Sequence, residues 1–145
     1  MSGADRIALL ERIMALPGFP TSSGMRLVSA EPGKVVMALT KRPELTQFFG
    51  HFHGGVITAL ADHAAGACAT SAMPDGKLAV TVEIKINFLS PADGDEIIAR
   101  AESIQSGSTI GVVKVEVISL KAGAERTCAF ATASMRAMDM PAAMA

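Results

Sequence analysis

The chain has no Trp and no Tyr, and six Phe are its whole complement of large aromatic rings. With aromatics at 4% and hydrophobic residues at 50%, the core has to be built from Ala, Val, Ile, Leu and Met. Small side chains of that kind favour close approach of backbones. Cysteine is equally scarce. Cys68 and Cys128 stand far apart with no CxxC, which points to two buried thiols rather than a disulfide or a thiolate-ligated metal. Charge of one sign is missing too: 13 Lys and Arg against 14 Asp and Glu leave a net −1, with no basic run, and nucleic acid is excluded as a partner. No uncharged apolar stretch approaches the roughly 20 residues of a membrane span. The N-terminal segment carries Asp5, Arg6, Glu11 and Arg12 where an export signal needs an apolar stretch, so the expected location is cytoplasmic. What is present in excess is hydrophobicity. A mean hydropathy of +0.37 is high for a small soluble monomer and points either to apolar surface buried against another chain or to an unusually apolar core.

The 145 residues suit one domain, with a core over about residues 20–138 and a frayed tail at 139–145. Ile7, Leu10, Ile13 and Met14 have helical spacing, which predicts an amphipathic helix over residues 3–16 stopped by Pro17-Gly18. Met25 to Ala30 and Lys34 to Thr40 read as a hairpin about Glu31-Pro32-Gly33. Residues 41–54 read as irregular, and Gly55 to Ser71 as an Ala-rich helix closed by Pro74-Asp75-Gly76. Four strands follow. The first, Leu78 to Leu89, is expected to carry Val80, Val82, Ile84, Ile86 and Phe88 on one face. The others are Glu96 to Gln105, Ile110 to Leu120 and Arg126 to Met138, all joined by tight turns. Such strands make one antiparallel sheet. A long helix of Ala and Gly buries little alone, so the sheet has to curl around it at short distance. The expected class is α+β, with the curled sheet and central helix of the hotdog architecture.

Chemistry gathers at the entry to that helix. Gly54 and Gly55 carry no side chains, and the first turn of a helix has unpaired N–H donors at its positive end. Donors fixed in this way suit the oxyanion that develops on an attacked carbonyl. Asp62 lies in the helix interior among Ala, Leu and Cys, where a carboxylate has no capping role and can serve as general base or nucleophile. Gly54 and Asp62 are eight residues apart, about 12 Å along a helix axis, so one chain cannot readily bring both to one carbon. If both act, the site is shared across a two-fold dimer. Gln47, in the approaching loop, can donate an amide hydrogen or orient water. Thr81, opposite in facing to Val80 and Val82, can hold the Asp62 carboxylate or the water.

The run QFFGHFHGGVITALAD, Gln47 to Asp62, followed by AVTVEIKINFLSPA over residues 79–92, resembles the PaaI-like branch of the hotdog acyl-CoA thioesterases. The resemblance implies that Asp62 is the catalytic carboxylate and that Gly54 supplies the oxyanion N–H from the opposite subunit. It further implies that Gln47 binds the carbonyl or positions water, that Thr81 supports the acid, and that His53 shapes the turn and orients Gln47. The departure is Gln47 where many members have Asn. Implied as well are a homodimer or dimer of dimers and an acyl-CoA substrate bearing a small aryl or a medium-to-long acyl chain. Coenzyme A then enters as part of the substrate, with no separate cofactor and no metal. Gly55, Ser90 and Pro91 and, in the Ser106 to Thr109 turn, Ser108 are the expected edges of the pantetheine groove.

Two other chemistries and one silent reading compete. His51, His53 and Asp62 lack the spacing of a metal site. Phe49-Gly50-His51-Phe52 is similar to the FPGHFP run of the hotdog hydroxyacyl dehydratases, but the prolines are missing and the interval to the acid is shorter. A non-catalytic acyl-CoA binder would have no use for Asp62.

Overall fold

The computed structural model describes residues 2–145. The chain begins with helix α1 (Gly3–Met14), set by a capping box in which the Ser2 hydroxyl accepts the Asp5 N–H and the Asp5 carboxylate accepts the Ser2 N–H. α1 ends two residues before the expected stop and buries Leu9 and Leu10. A short helix α2 (Phe19–Ser23) follows, which hydrophobic spacing does not foretell. It starts with a proline in its first turn and ends on Gly24, whose φ of +87° only glycine adopts cheaply. Strands β1 (Arg26–Glu31) and β2 (Lys34–Thr40) form the expected hairpin.

After a single 3-10 turn at Pro43–Leu45 comes the central helix α3 (Gly54–Ala72). Strands β3 (Lys77–Phe88), β4 (Glu96–Ser106), β5 (Ile110–Lys121) and β6 (Ala124–Asp139) complete a six-stranded antiparallel sheet in the order β1-β2-β4-β5-β6-β3. The sheet wraps α3, whose Leu60, Ala61, Ala64, Ala65 and Cys68 are fully buried against Met37, Ile97, Val115 and Met135. Alanines on the helix let the strands come close, as the composition requires. This is the hotdog fold.

Two details depart from expectation. The wrap is incomplete: Ala59, Asp62, His63, Gly66 and Ala67 form a half-exposed stripe along α3 that the sheet does not cover. β3 does not keep one apolar face, because a bulge between Thr81 and Glu83 inserts Val82 as an extra residue. Ala79 and Thr81 face the helix before it and Ile84 and Ile86 after it, while Val80 and Val82 stand 47% and 63% exposed. At the C-terminal end the Met140 N–H donates to the Gly76 carbonyl at 2.8 Å, and Met144 lines a cavity beside α1. Both cysteines are free and buried, as their isolation in the sequence implies.

Candidate active site

Most of the residues singled out in the sequence line one of two separate cavities at different points along α3; His53, Gly55 and Ser108 line neither. The first, of about 590 Å³, is lined by Gln47, His51, Gly54, Phe88, Ser90 and Pro91 among others. The second, of about 460 Å³, lies between α1, α3 and the start of β3 and contains Asp62 and Thr81. Neither cavity holds both the glycine turn and the acid.

In the first cavity the local structure follows from His53. Its backbone is extended (φ −64°, ψ 139°), its carbonyl accepts the Val56 and Ile57 N–H groups, and its Nδ1 accepts the Gly55 N–H at 2.8 Å. His53 is therefore the N-cap of α3, a role commonly given to Ser, Thr, Asp or Asn. Two expectations change. The Gly55 N–H is not open to a ligand, since the imidazole takes it. His53 makes no hydrogen bond to Gln47 either; the Gln47 Oε1 accepts the Phe49 N–H at 2.6 Å, which leaves its NH₂ as the donor end. Of the two glycines, Gly54 is the one whose N–H meets no acceptor among the described residues. Phe88 lies over it: a Cβ on Gly54 would stand 3.4 Å from the ring. A first-turn N–H at the positive end of a long helix, beside a side-chain amide, is a two-donor cradle for a carbonyl oxygen.

The N-cap carries a testable consequence. His53→Ala should lower stability by about 1 kcal/mol in thermal unfolding, and His53→Asn should recover most of that loss. Equal melting of all three proteins would show that the imidazole contributes no cap.

In the second cavity the Thr81 hydroxyl donates to Asp62 Oδ1 at 2.7 Å. Thr81 can do so because it precedes the bulge. Without the extra residue, facing Ile84 and Ile86 inward would turn position 81 outward. No protein donor meets the second carboxylate oxygen among the described residues, so Oδ2 is free for chemistry. Asp62 is half-buried rather than enclosed by apolar side chains. Beside it, His63 Nε2 lies 2.9 Å from Met14 Sδ, which ties α3 to α1. Burial holds the His63 imidazole below its ordinary range, with the Asp62 charge opposing that shift.

Ser90 and Pro91 line the first cavity, with the Ser90 hydroxyl donating to the Thr127 carbonyl at 2.8 Å. Ser108 does not join them. Its turn sits by the C-terminal end of α3, where Ser106 donates to the Ala72 carbonyl, about 27 Å along the helix from Gly54. Thiol chemistry has no support, because burial pushes Cys68 up to about 12 and Cys128 up to about 11. Among the described residues no three His, Cys, Asp or Glu side chains stand together as metal ligands. His51 and Asp62 line different cavities, so one protomer does not assemble a dehydratase-like pair.

Comparison with known proteins finds likenesses in both sequence and fold. The family model of the thioesterase superfamily matches residues 49–124. The 1,4-dihydroxy-2-naphthoyl-CoA hydrolase of Listeria monocytogenes is 32% identical over 100 residues, 69% of this chain and 81% of its own. A crystal structure of a thioesterase family protein from Silicibacter pomeroyi superposes with a TM-score of 0.90 at 30% identity, covering 93% of this chain and 99% of that one. The E. coli PaaI protein, from the phenylacetic acid degradation operon, shares the fold, with a TM-score of 0.83 at 22% identity over 94% of this chain and 95% of that one.

Proposed function

The chain belongs to the thioesterase superfamily and has the PaaI-like hotdog fold, and from that premise we propose that it hydrolyses acyl-CoA thioesters at sites shared between two protomers. The observation that carries this reading is the separation of the two half-sites. Gly54 and Gln47 line one cavity, Asp62 and Thr81 the other, and α3 holds Gly54 and Asp62 about 12 Å apart. In a two-fold dimer the carbonyl cradle of one protomer faces the acid of its partner, and the two sites are equivalent. The free edge of the sheet supports such pairing. β3 is a 12-residue edge strand carrying Val80 and Val82 to the surface, and a long apolar edge of that kind calls for a partner strand.

Each residue then has a task. The thioester carbonyl oxygen lies against the Gly54 N–H and the Gln47 NH₂, which stabilise the oxyanion as it forms. Asp62, with Oδ1 held by Thr81, offers Oδ2 to a water proton or to the carbonyl carbon itself. By either route water adds across the C–S bond: the acyl carbon keeps the oxygen, and the thiolate leaves with the proton as the free CoA thiol. The pantetheine arm runs over Ser90 and Pro91. The name of the Listeria relative, a CoA thioester hydrolase, supports the CoA ester as the substrate class.

The test is release of free thiol from acyl-CoA substrates by the purified protein, together with its mass in solution. Turnover by a dimer or dimer of dimers is expected. A strictly monomeric protein with full activity would overturn the shared site. Hydration of an enoyl-CoA without thiol release would transfer the reading to the dehydratases.

A further inference from the structure

We propose that the cavity between α1, α3 and β3 takes the acyl chain of the substrate, that Gly66 sets its depth, and that it selects an unbranched aliphatic chain. This inference rests on the thioesterase reading and names the substrate class for it.

Gly66 is the starting point. It sits mid-helix, four residues after Asp62 and so one turn further along the same face, about 6 Å away. A glycine there weakens the helix relative to alanine. Glycine in a helix is usually explained by a close neighbour or a positive φ, and within the protomer neither applies. Its φ is not in the left-handed region, and a Cβ built on it would meet nothing within 4 Å. The missing side chain opens directly into the 460 Å³ cavity that also holds Asp62 and Thr81. Empty space next to the catalytic acid is what the absent methyl provides.

The lining decides what fills it. Leu10, Met14, Leu27, Leu78, Val80 and Met144 surround Gly66 and Ala67, and the volume lies within the roughly 300–1,000 Å³ of small-molecule sites. The thioester carbon has to reach Asp62, so the group attached to it enters this cavity. Beyond Asp62 and Thr81, its polar side chains are few: Thr70 Oγ1 accepts the Ala79 N–H at 3.0 Å, and His63 Nε2 rests on Met14 Sδ. No Phe lines this cavity, whereas Phe49, Phe52 and Phe88 all belong to the other one. Two methionines, unbranched and adaptable, close the α1 side around a flexible chain.

The test compares wild type, Gly66→Ala and Gly66→Val on butanoyl-, octanoyl-, palmitoyl- and benzoyl-CoA by thiol release. Wild type should prefer octanoyl- or palmitoyl-CoA over benzoyl-CoA. Gly66→Val should lower kcat/KM for the longer chains by at least about tenfold while leaving butanoyl-CoA turnover nearly intact. Gly66→Ala should melt about 2–4 °C higher, showing that the glycine is not kept for stability. A folded Gly66→Val protein with an unchanged chain-length profile, or a wild type that prefers benzoyl-CoA, overturns the proposal and leaves thioesterase activity standing. If wild type hydrolyses none of the four esters, the thioesterase reading itself fails. Binding of a fluorescent fatty acid then decides the cavity separately: tenfold weaker binding to Gly66→Val upholds it, and equal binding to both proteins removes it.

Discussion

Asp62→Asn is expected to reduce kcat by about three orders of magnitude while leaving KM and the melting temperature close to wild type. The reasoning is local. Asn keeps the shape of the side chain and still offers an oxygen to the Thr81 hydroxyl, so the contact between α3 and β3 survives. What it loses is the anionic oxygen that takes a proton from water or attacks the acyl carbon. Because the change falls on the transition state and not on ground-state binding, kcat and kcat/KM should drop together. Thr81→Val adds a graded control. It leaves the carboxylate in place but removes its tether, and a loss of about tenfold to a hundredfold is expected, with Thr81→Ser recovering most of it. Full turnover by Asp62→Asn would remove the carboxylate from the mechanism, whatever the fate of the fold.

How much of this was legible in the residues depends on whether a local pattern or a three-dimensional relation was being read. The wrap of the sheet about α3 follows from composition: a helix of Ala61, Ala64, Ala65 and Cys68 has no other way to bury itself than under close strands. The β1–β2 and β5–β6 hairpins follow from Gly33 and Gly123, which have positive φ and sit in the turns expected from the sequence. The inward or outward facing of β3 was not legible past residue 82. A bulge shifts the register by one residue, and an alternating Val-Thr-Val-Glu-Ile run does not record it. That one residue aims Thr81 at Asp62 and Ile84 at the core, so a hidden irregularity positions the site.

The fate of the two glycines is a similar case. Both look equally available in the sequence, and only the rotamer of His53 distinguishes them by taking the Gly55 N–H. No residue type marks a histidine as a helix cap as it would a serine. The half-exposed stripe of α3 was missed for a different reason. Periodicity shows that a helix is apolar all round, but not which side the sheet leaves uncovered. The division into two cavities, by contrast, was foreshadowed by arithmetic, because eight helical residues fix a distance whatever surrounds them.

That distance leads to the second large effect. Gly54→Pro should cost about 10²–10³ in kcat with the fold intact. Proline is well accepted at the first position of a helix, where its absent N–H has no partner within the helix to lose. The preceding His53 already has the extended backbone that a following proline requires. A Cβ at position 54 would touch the Phe88 ring at 3.4 Å, an ordinary contact, and Gly54→Ala tests that contact alone because it keeps the N–H. Proline there deletes one hydrogen-bond donor and little else. Gly54→Pro and Asp62→Asn each disable both sites of a homodimer. A hybrid dimer of one chain of each, isolated with two different affinity tags, is expected to recover about half of wild-type activity, because one of its two shared sites has both intact parts and the other has neither. Were each site built within a single protomer, every site in the hybrid would carry one defect, and activity would stay at the level of the separate variants. The recovery reads the geometry directly: it requires the free N–H of one α3 and the acid of the other to meet at the same carbonyl.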